Sequence, residues 1–270
     1  MTMDPFSSKR TTLFGPVLLL SLALLWPTSG LAAQEEPQPA TTAEPSRQPT
    51  YRPGPPPGAL RATGDLPAVG EIMMDDQLIA PGALPGRFSC PTGKGLGEFV
   101  GEGYIVKVAG RCHDSLQRAF ATLPPIPDLV VPDGEIRLDA KVVSGHDRAG
   151  VLLQFRSQAD PPRGYTLVIG PSQGAALLQK EEGTTGVPLA LRTDLAGGLS
   201  RDGWNTLAIR LDGPSIWVLV NDELILSASD SMLDRGSVRF GVMRTGNPSD
   251  DVESAAVFRN LRVSGLASRP

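Results

Sequence analysis

Residues 133–143 read DGEIRLDAKVV, and the order of these eleven residues decides the fold. Ile136, Leu138, Ala140 and Val142 alternate with Glu135, Arg137, Asp139 and Lys141. A period of two predicts a β-strand with one face on a core and the other in water. The same alternation returns downstream. In VLLQFRS (151–157), Val151, Leu153 and Phe155 form one apolar row, with Leu152, Gln154 and Arg156 opposite. RGYTLVIG (163–170) sets Tyr165, Leu167 and Ile169 on one side, and GWNTLAIRLDG (203–213) does the same with Leu207, Ile209 and Leu211. SIWVLVNDELIL (215–226) reads as a hairpin, with Asn221 and Asp222 at the turn because both tolerate positive φ. GSVRFGVMR (236–244) turns Val238, Phe240 and Val242 inward, and AAVFRNLRV (255–263) closes the series with a break near Asn260. GAALLQK (174–180) and GVPLALRT (186–193) supply shorter strands of sheet-edge character.

Strands recur here without intervening helices of ten to fifteen residues, which argues against a parallel α/β sheet. One-sided alternation demands a second packing layer. The expected fold is all-β, a two-sheet antiparallel jelly-roll sandwich over residues 68–270.

Upstream of residue 68 the composition changes. Lys9 and Arg10 precede the apolar run TLFGPVLLLSLALLW, which is shorter than the roughly 20 residues of a bilayer crossing. SGLAAQ then offers small residues for cleavage near Ala32 or Ala33. Residues 1–33 therefore read as a signal peptide, with an uncleaved amino-terminal anchor as the alternative. Residues 34–67 are proline-rich and lack aliphatic periodicity, as expected of a disordered linker. A secreted or cell-surface location follows, with no stable membrane span after cleavage. The net charge of -4 and pI near 5.3 give a phosphate backbone little to bind, so nucleic acid is not an expected partner.

Cys90 and Cys112 are the only cysteines. In an exported chain they are expected to form a disulfide contributing about 3 kcal/mol. DSLQRAFATLPPIPDL (114–129) holds the nearest approach to a helix, with Leu116, Ala119 and Phe120 on one face and prolines ending it.

The strand order EIRLDAKVVSGHDRAGVLLQFRS, RGYTLVIG, DGWNTLAIRLDGPSIWVLVNDELI, RGSVRFGVMRTG and AAVFRNLRV resembles the concanavalin A-like lectin/glucanase superfamily. It looks most like laminin-G-like modules and the bacterial keto-glycoside-hydrolase-related domains. The resemblance covers residues 71–263 and implies a jelly roll associated with glycans or extracellular proteins. It brings no catalytic signature: the E-x-D-x-E run of many glucanases is absent, and Glu135 and Asp139 sit beside Arg137 and Lys141 like a charged outer strand.

Candidate ligand-binding residues are those opposite the core rows: Gln154, Arg156, Trp217 and Arg239. An exposed Trp stacks on a sugar ring, and Arg and Gln donate directional hydrogen bonds. Trp204 reads as an anchor at the entry to its strand. No catalytic residue, resident cofactor or metal site is assigned, although Asp147, Asp160, Asp250, Asp251 and Glu253 are loop carboxylates of the kind a structural calcium ion uses. The expected function is a non-catalytic recognition module for carbohydrate or an extracellular protein. The alternatives are a glycoside hydrolase or related carbohydrate-active enzyme, and a structural or adhesin domain of the cell envelope.

Overall fold

In a computed structural model of the chain, residues 134–143 lie within an eleven-residue strand, Gly134–Ser144, whose Ile136, Leu138, Ala140 and Val142 are all 3% exposed or less. The structure describes residues 62, 64–80, 82, 84, 87–90, 92, 95–110, 119–122, 129–183, 185–195, 197–244 and 252–268. Every described residue belongs to one compact unit within residues 51–270. The stretch read as a signal peptide lies outside the described residues.

The strands come in chain order. β1 (Val69–Asp76), β2 (Arg87–Ser89), β3 (Gly95–Val100) and β4 (Gly103–Val108) open the body. Two short strands are next, β5 (Ala119–Thr122) and β6 (Val130–Val131), and then β7 (Gly134–Ser144). A meander continues the chain: β8 (Ala149–Ala159), β9 (Pro162–Gly170), β10 (Ala175–Glu182) and β11 (Thr185–Arg192). The last strands are β12 (Asn205–Asp212), β13 (Ser215–Val220), β14 (Glu223–Ser229), β15 (Gly236–Arg244) and β16 (Ser254–Leu266). They build two antiparallel sheets. One runs β14-β13-β12-β7-β16-β4-β3-β2 with β1 also on β16, and the other runs β11-β10-β9-β8-β15-β5 with β6 also on β15.

The core lies between the sheets, where the alternating rows meet. Ile136, Leu138, Ile209 and Val218 of the first sheet share one buried cluster with Leu153, Phe155, Tyr165 and Phe240 of the second. Phe155 stacks on Tyr165, and Phe240 tilts against Phe258 across the sandwich. The expected all-β jelly roll is the observed fold. Its hairpin turn at Asn221 and Asp222 has φ of 51° and 66°, the left-handed pair a tight hairpin requires. The break near Asn260 is a register shift in β16, with Asn260 at φ 53°.

Three expectations need correction or restriction. Ala119 and Phe120, read as one face of a short helix, lie in β5, where residues 119–122 pair with Thr122↔Gly241 register against β15; sheet pairing outweighs local helical spacing. GAALLQK is an interior strand, flanked by β9 and β11, and only β11 is at an edge. Cys90 is 4% exposed and is no free thiol, but Cys112 lies outside the described residues, so no bridge between the two is described.

Candidate functional site

Each sheet has an outer face, and the two are treated differently. On the first sheet the outer row of β7 is charged, as its alternation requires. Glu135 accepts from Arg210 Nε at 2.6 Å, and Arg210 Nη1 donates to the Pro67 carbonyl at 2.9 Å. Asp139 accepts from Thr206 Oγ1 at 2.7 Å and Asn260 Nδ2 at 2.8 Å. These carboxylates are held by neighbouring donors. Trp217 points to this same face, as its parity predicts. It is nonetheless only 3% exposed, packed with Ala208 and Leu219 beneath Ala62. A ring so covered has no face to offer a sugar, and Trp217 is withdrawn as a ligand residue. Trp204 lies under the Arg259 guanidinium at 3.8 Å, a cation–π anchor at the start of β12.

Arg156 also requires correction. Its strand carries a register shift between Phe155 and Gln158, and Arg156 itself adopts φ 47°. A bulge reverses the inward-outward parity of the residues beyond it. The side chain therefore turns inward and is 0% exposed, where it donates to the carbonyls of Pro132, Gly213 and Leu233 and to Asp133 Oδ1 at 2.9 Å. It clamps three loops and touches no ligand surface. Gly236 is the complement of this bulge, since a Cβ there would meet the Arg156 carbonyl carbon at 2.3 Å.

The other two expected residues, Gln154 and Arg239, do come together. They are direct cross-strand partners on β8 and β15, on the outer face of the second sheet. The register continues the row: Gln154 faces Thr166 on β9, and Thr166 faces Gln179 on β10. One polar side chain from each of four adjacent strands thus forms a line, Arg239–Gln154–Thr166–Gln179, across the middle of the sheet. Beside it stands a carboxylate that sequence reasoning passed over, Glu181. Its Oε2 accepts from Gln154 Nε2 at 3.1 Å, and its Oε1 accepts from Gln179 Nε2 at 2.9 Å. Gln154 Nε2 also reaches Thr166 Oγ1 at 3.3 Å. The two amides hold the carboxylate in one orientation over β9.

The surroundings leave that carboxylate room. Its cross-strand partners are Gly164 on β9 and Gly186 on β11, neither of which carries a side chain. A Cβ on Gly186 would lie 3.0 Å from Gln179 Nε2 and press on the amide that orients Glu181. The glycines of RGYTLVIG and of EEGTTGVP were the only sequence signal for this opening.

Arg239 supplies the opposite charge. Its Nε is buried without a hydrogen-bond partner, and it forms no ion pair among the described residues. Desolvation holds its pKa below the usual guanidinium value, with no acid close enough to restore it. A carboxylate and an unpaired guanidinium therefore share one face without contacting each other, separated by the Gln154 amide. No group of three or more metal-ligating side chains occurs among the described residues. Asp147, one of the loop acids, pairs with Arg201 at 2.9 Å, while Asp250 and Asp251 lie outside the described residues.

This architecture defines a carbohydrate-associated jelly roll of the concanavalin A-like class. Residues 127–264, just over half of the chain, match the family described as the 3-keto-alpha-glucoside-1,2-lyase-like domain, and the chain belongs to that family. Among solved structures, a Bacillus subtilis protein of unknown function with a galectin-like fold is 16% identical, with 76% of this chain and 100% of that one covered at a TM-score of 0.51. That likeness is one of fold. The Bacillus subtilis carbohydrate binding module CBM66 is 20% identical over 67% of this chain and 97% of its own, at a TM-score of 0.48. A Bacillus licheniformis beta-glucanase is 13% identical, covering 74% of this chain and 99% of its own at a TM-score of 0.45. No curated protein matches the chain in sequence. Membership in a family described by a lyase activity overturns the preference for a non-catalytic module, and that preference is withdrawn. Among the described residues, no helix is long and apolar enough to cross a membrane.

Proposed function

We propose that the outer face of the β15-β8-β9-β10 sheet binds a 3-keto glucoside and eliminates its aglycone across C1 and C2. The observation that carries this reading is the Glu181 carboxylate, held by Gln154 and Gln179 on the same face as the unpaired Arg239. A ketone at C3 acidifies the proton on C2. Removing that proton places negative charge on the ketone oxygen, and expelling the C1 oxygen completes the elimination. The reaction needs one base and one partner for the developing oxyanion. In this reading Glu181 is the base, and Arg239 donates to the enolate oxygen. Gln154 and Gln179 position the carboxylate, and Thr166 keeps the Gln154 amide turned towards it.

A glycosidase would need two carboxyl groups about 5–9.5 Å apart. The outer-face row offers a single carboxylate, Glu181, which favours elimination over hydrolysis. The family described by a lyase supports the same choice. Export by a leader at residues 1–33, with a linker at 34–67, belongs to this proposal and would put the enzyme outside the cytoplasm with sugars as its substrates.

The test is Glu181→Gln. The wild-type chain incubated with a 3-keto-α-glucoside should yield the conjugated enone, read by its ultraviolet absorbance and by loss of the C2 proton signal. The variant should lose at least about 100-fold in kcat, the usual contribution of a general base. A variant as active as wild type would remove Glu181 from the mechanism. Binding of the keto sugar without any turnover by wild type would return the site to a recognition role.

A further inference from the structure

The chemistry of the proposed elimination fixes an order of three carbons, and the sheet fixes an order of groups. On the substrate the ketone oxygen is on C3, the labile proton on C2 and the leaving group on C1. Across the sheet, Arg239 stands on β15, and the Glu181 carboxylate is held between β8 and β10. A sugar laid with its ketone at Arg239 and its C2 at Glu181 must direct C1 towards β11. That end of the face is apolar. Leu177 pairs with Leu191 and Gln179 with Pro188, so Leu177, Pro188 and Leu191 share the outer face with the polar row. Leu191 is 36% exposed, Pro188 is exposed and Leu177 is half-buried. From β8 to β11 are three strand spacings, roughly 14 Å, enough for a sugar ring and one further ring.

The acid inventory at that end points the same way. The outer-face positions of β10 and β11 are Ala175, Leu177, Gln179, Glu181, Gly186, Pro188 and Leu191, and Glu181 is their only carboxylate. Glu181 is already committed to C2. A sugar alkoxide leaves poorly without a proton donor of its own. A phenolate leaves without one, because a phenol titrates near about 10.

We propose that the substrate is an aryl glycoside, with its aromatic aglycone seated on Leu177, Pro188 and Leu191 at the β11 edge. The proposal rests on the elimination reading of the same site. In the step, the C2–H bond breaks and its proton passes to Glu181. The electron pair forms the C1=C2 bond, the C1–O bond breaks, and its electrons leave on the phenolate oxygen, which is protonated from water. No oxidant or reductant is consumed.

The experiment compares phenyl, methyl and glucosyl 3-keto-α-glucosides on the full chain and on Leu191→Ser and Leu191→Phe. The wild type should favour the phenyl substrate in kcat/KM. Leu191→Ser should cut the phenyl-to-methyl selectivity about tenfold, mainly through KM, as expected for one lost apolar contact. Leu191→Phe, which keeps an apolar surface, should retain the selectivity. Turnover of all three substrates with selectivity unmoved by Leu191→Ser would overturn the aryl subsite and leave the elimination reading intact. If none of the three were eliminated, both would fall.

Discussion

Arg156 is a fully buried guanidinium on which three loops meet. Its five guanidinium hydrogen bonds join the loop before β7, the β12–β13 turn and the segment before β15. Burial depresses its pKa, and Asp133 works in the opposite direction by favouring the charge. Replacing Arg156 with Met would take this donor from the Pro132, Gly213 and Leu233 carbonyls, while the half-exposed Asp133 would keep the Gly213 N–H. Urea denaturation should register a loss of about 1–3 kcal/mol, the scale expected when buried acceptors lose their donor. A loss below about 1 kcal/mol would mean that water replaces the clamp. Trp217 and Arg156 also mark two limits of reading a face from alternation. Parity put Trp217 on the correct side of its sheet, but parity carries no information about a remote segment such as Ala62 lying on top. For Arg156 the bulge inverted the parity itself, and nothing in QFRS announces a bulge. Gln154 and Arg239, on uninterrupted alternation, came out on one face and in direct register.

Among the elements, the β13–β14 hairpin is the one whose sequence reading and geometry agree most closely. Asn221 does more than accept a left-handed backbone. Its Oδ1 accepts from Thr206 N–H at 2.9 Å, and its Nδ2 donates to the Gly198 carbonyl at 2.9 Å, so the turn also fixes the start of β12. Asn221→Ala would lose these bonds and put alanine, which lacks the Asn side chain's tolerance of left-handed backbone, at φ 51°. A cost of about 1–3 kcal/mol is expected, read as a lowered urea midpoint with an unchanged denaturant slope. An unchanged midpoint would mean that the hairpin holds without its side-chain ties. Strands such as β7 and β12 were legible because their buried and less buried residues alternate, whereas the short β5 read as a helix. The carboxylate proposed as the base was not legible. Glu181 lies at the end of a strand that reads as a short edge, and its partners Gln154 and Gln179 belong to strands whose neighbours only the fold reveals.

At the scale of the molecule, one end of the sandwich is closed by a polar network that titrates at both extremes. Tyr165 donates to Asp230 Oδ1 at 2.7 Å and accepts from Leu233 N–H at 3.2 Å, while Lys180 Nζ reaches Asp230 Oδ2 at 3.3 Å. Burial pushes the Asp230 carboxyl up, but hydrogen bonds from Tyr165, Met232 and Lys180 outweigh it and hold the group below its ordinary 3.8. Its stabilising contribution is therefore fully present above the ordinary value and lost as pH falls through the lowered one. Tyr165 runs the other way. Burial and the hydrogen bond to Asp230 raise its pKa well above the ordinary 10.0, and burial pushes Tyr104 up to about 12. The unfolded chain ionises these phenols first, so stability falls as pH rises beyond about 10. Thermal melts from strongly acidic to strongly alkaline buffers should give a plateau with both edges. Tyr165→Phe should flatten the alkaline edge, and an alkaline edge unmoved by that change would assign it to other groups.

The polar line across the second sheet has a consequence for the order in which the protein becomes itself. It borrows one side chain from each of β15, β8, β9 and β10, and β15 lies far along the chain from the other three. A slip of one residue in any of three pairings would turn one contributor into the core and bring an aliphatic neighbour out in its place. The constellation therefore has no half-assembled form: a folding chain that has closed the local β8–β9–β10 meander still lacks Arg239 until β15 returns to dock. On the proposed reading, chemistry would require that long-range pairing as well as the local meander, which would make activity a marker of correct assembly.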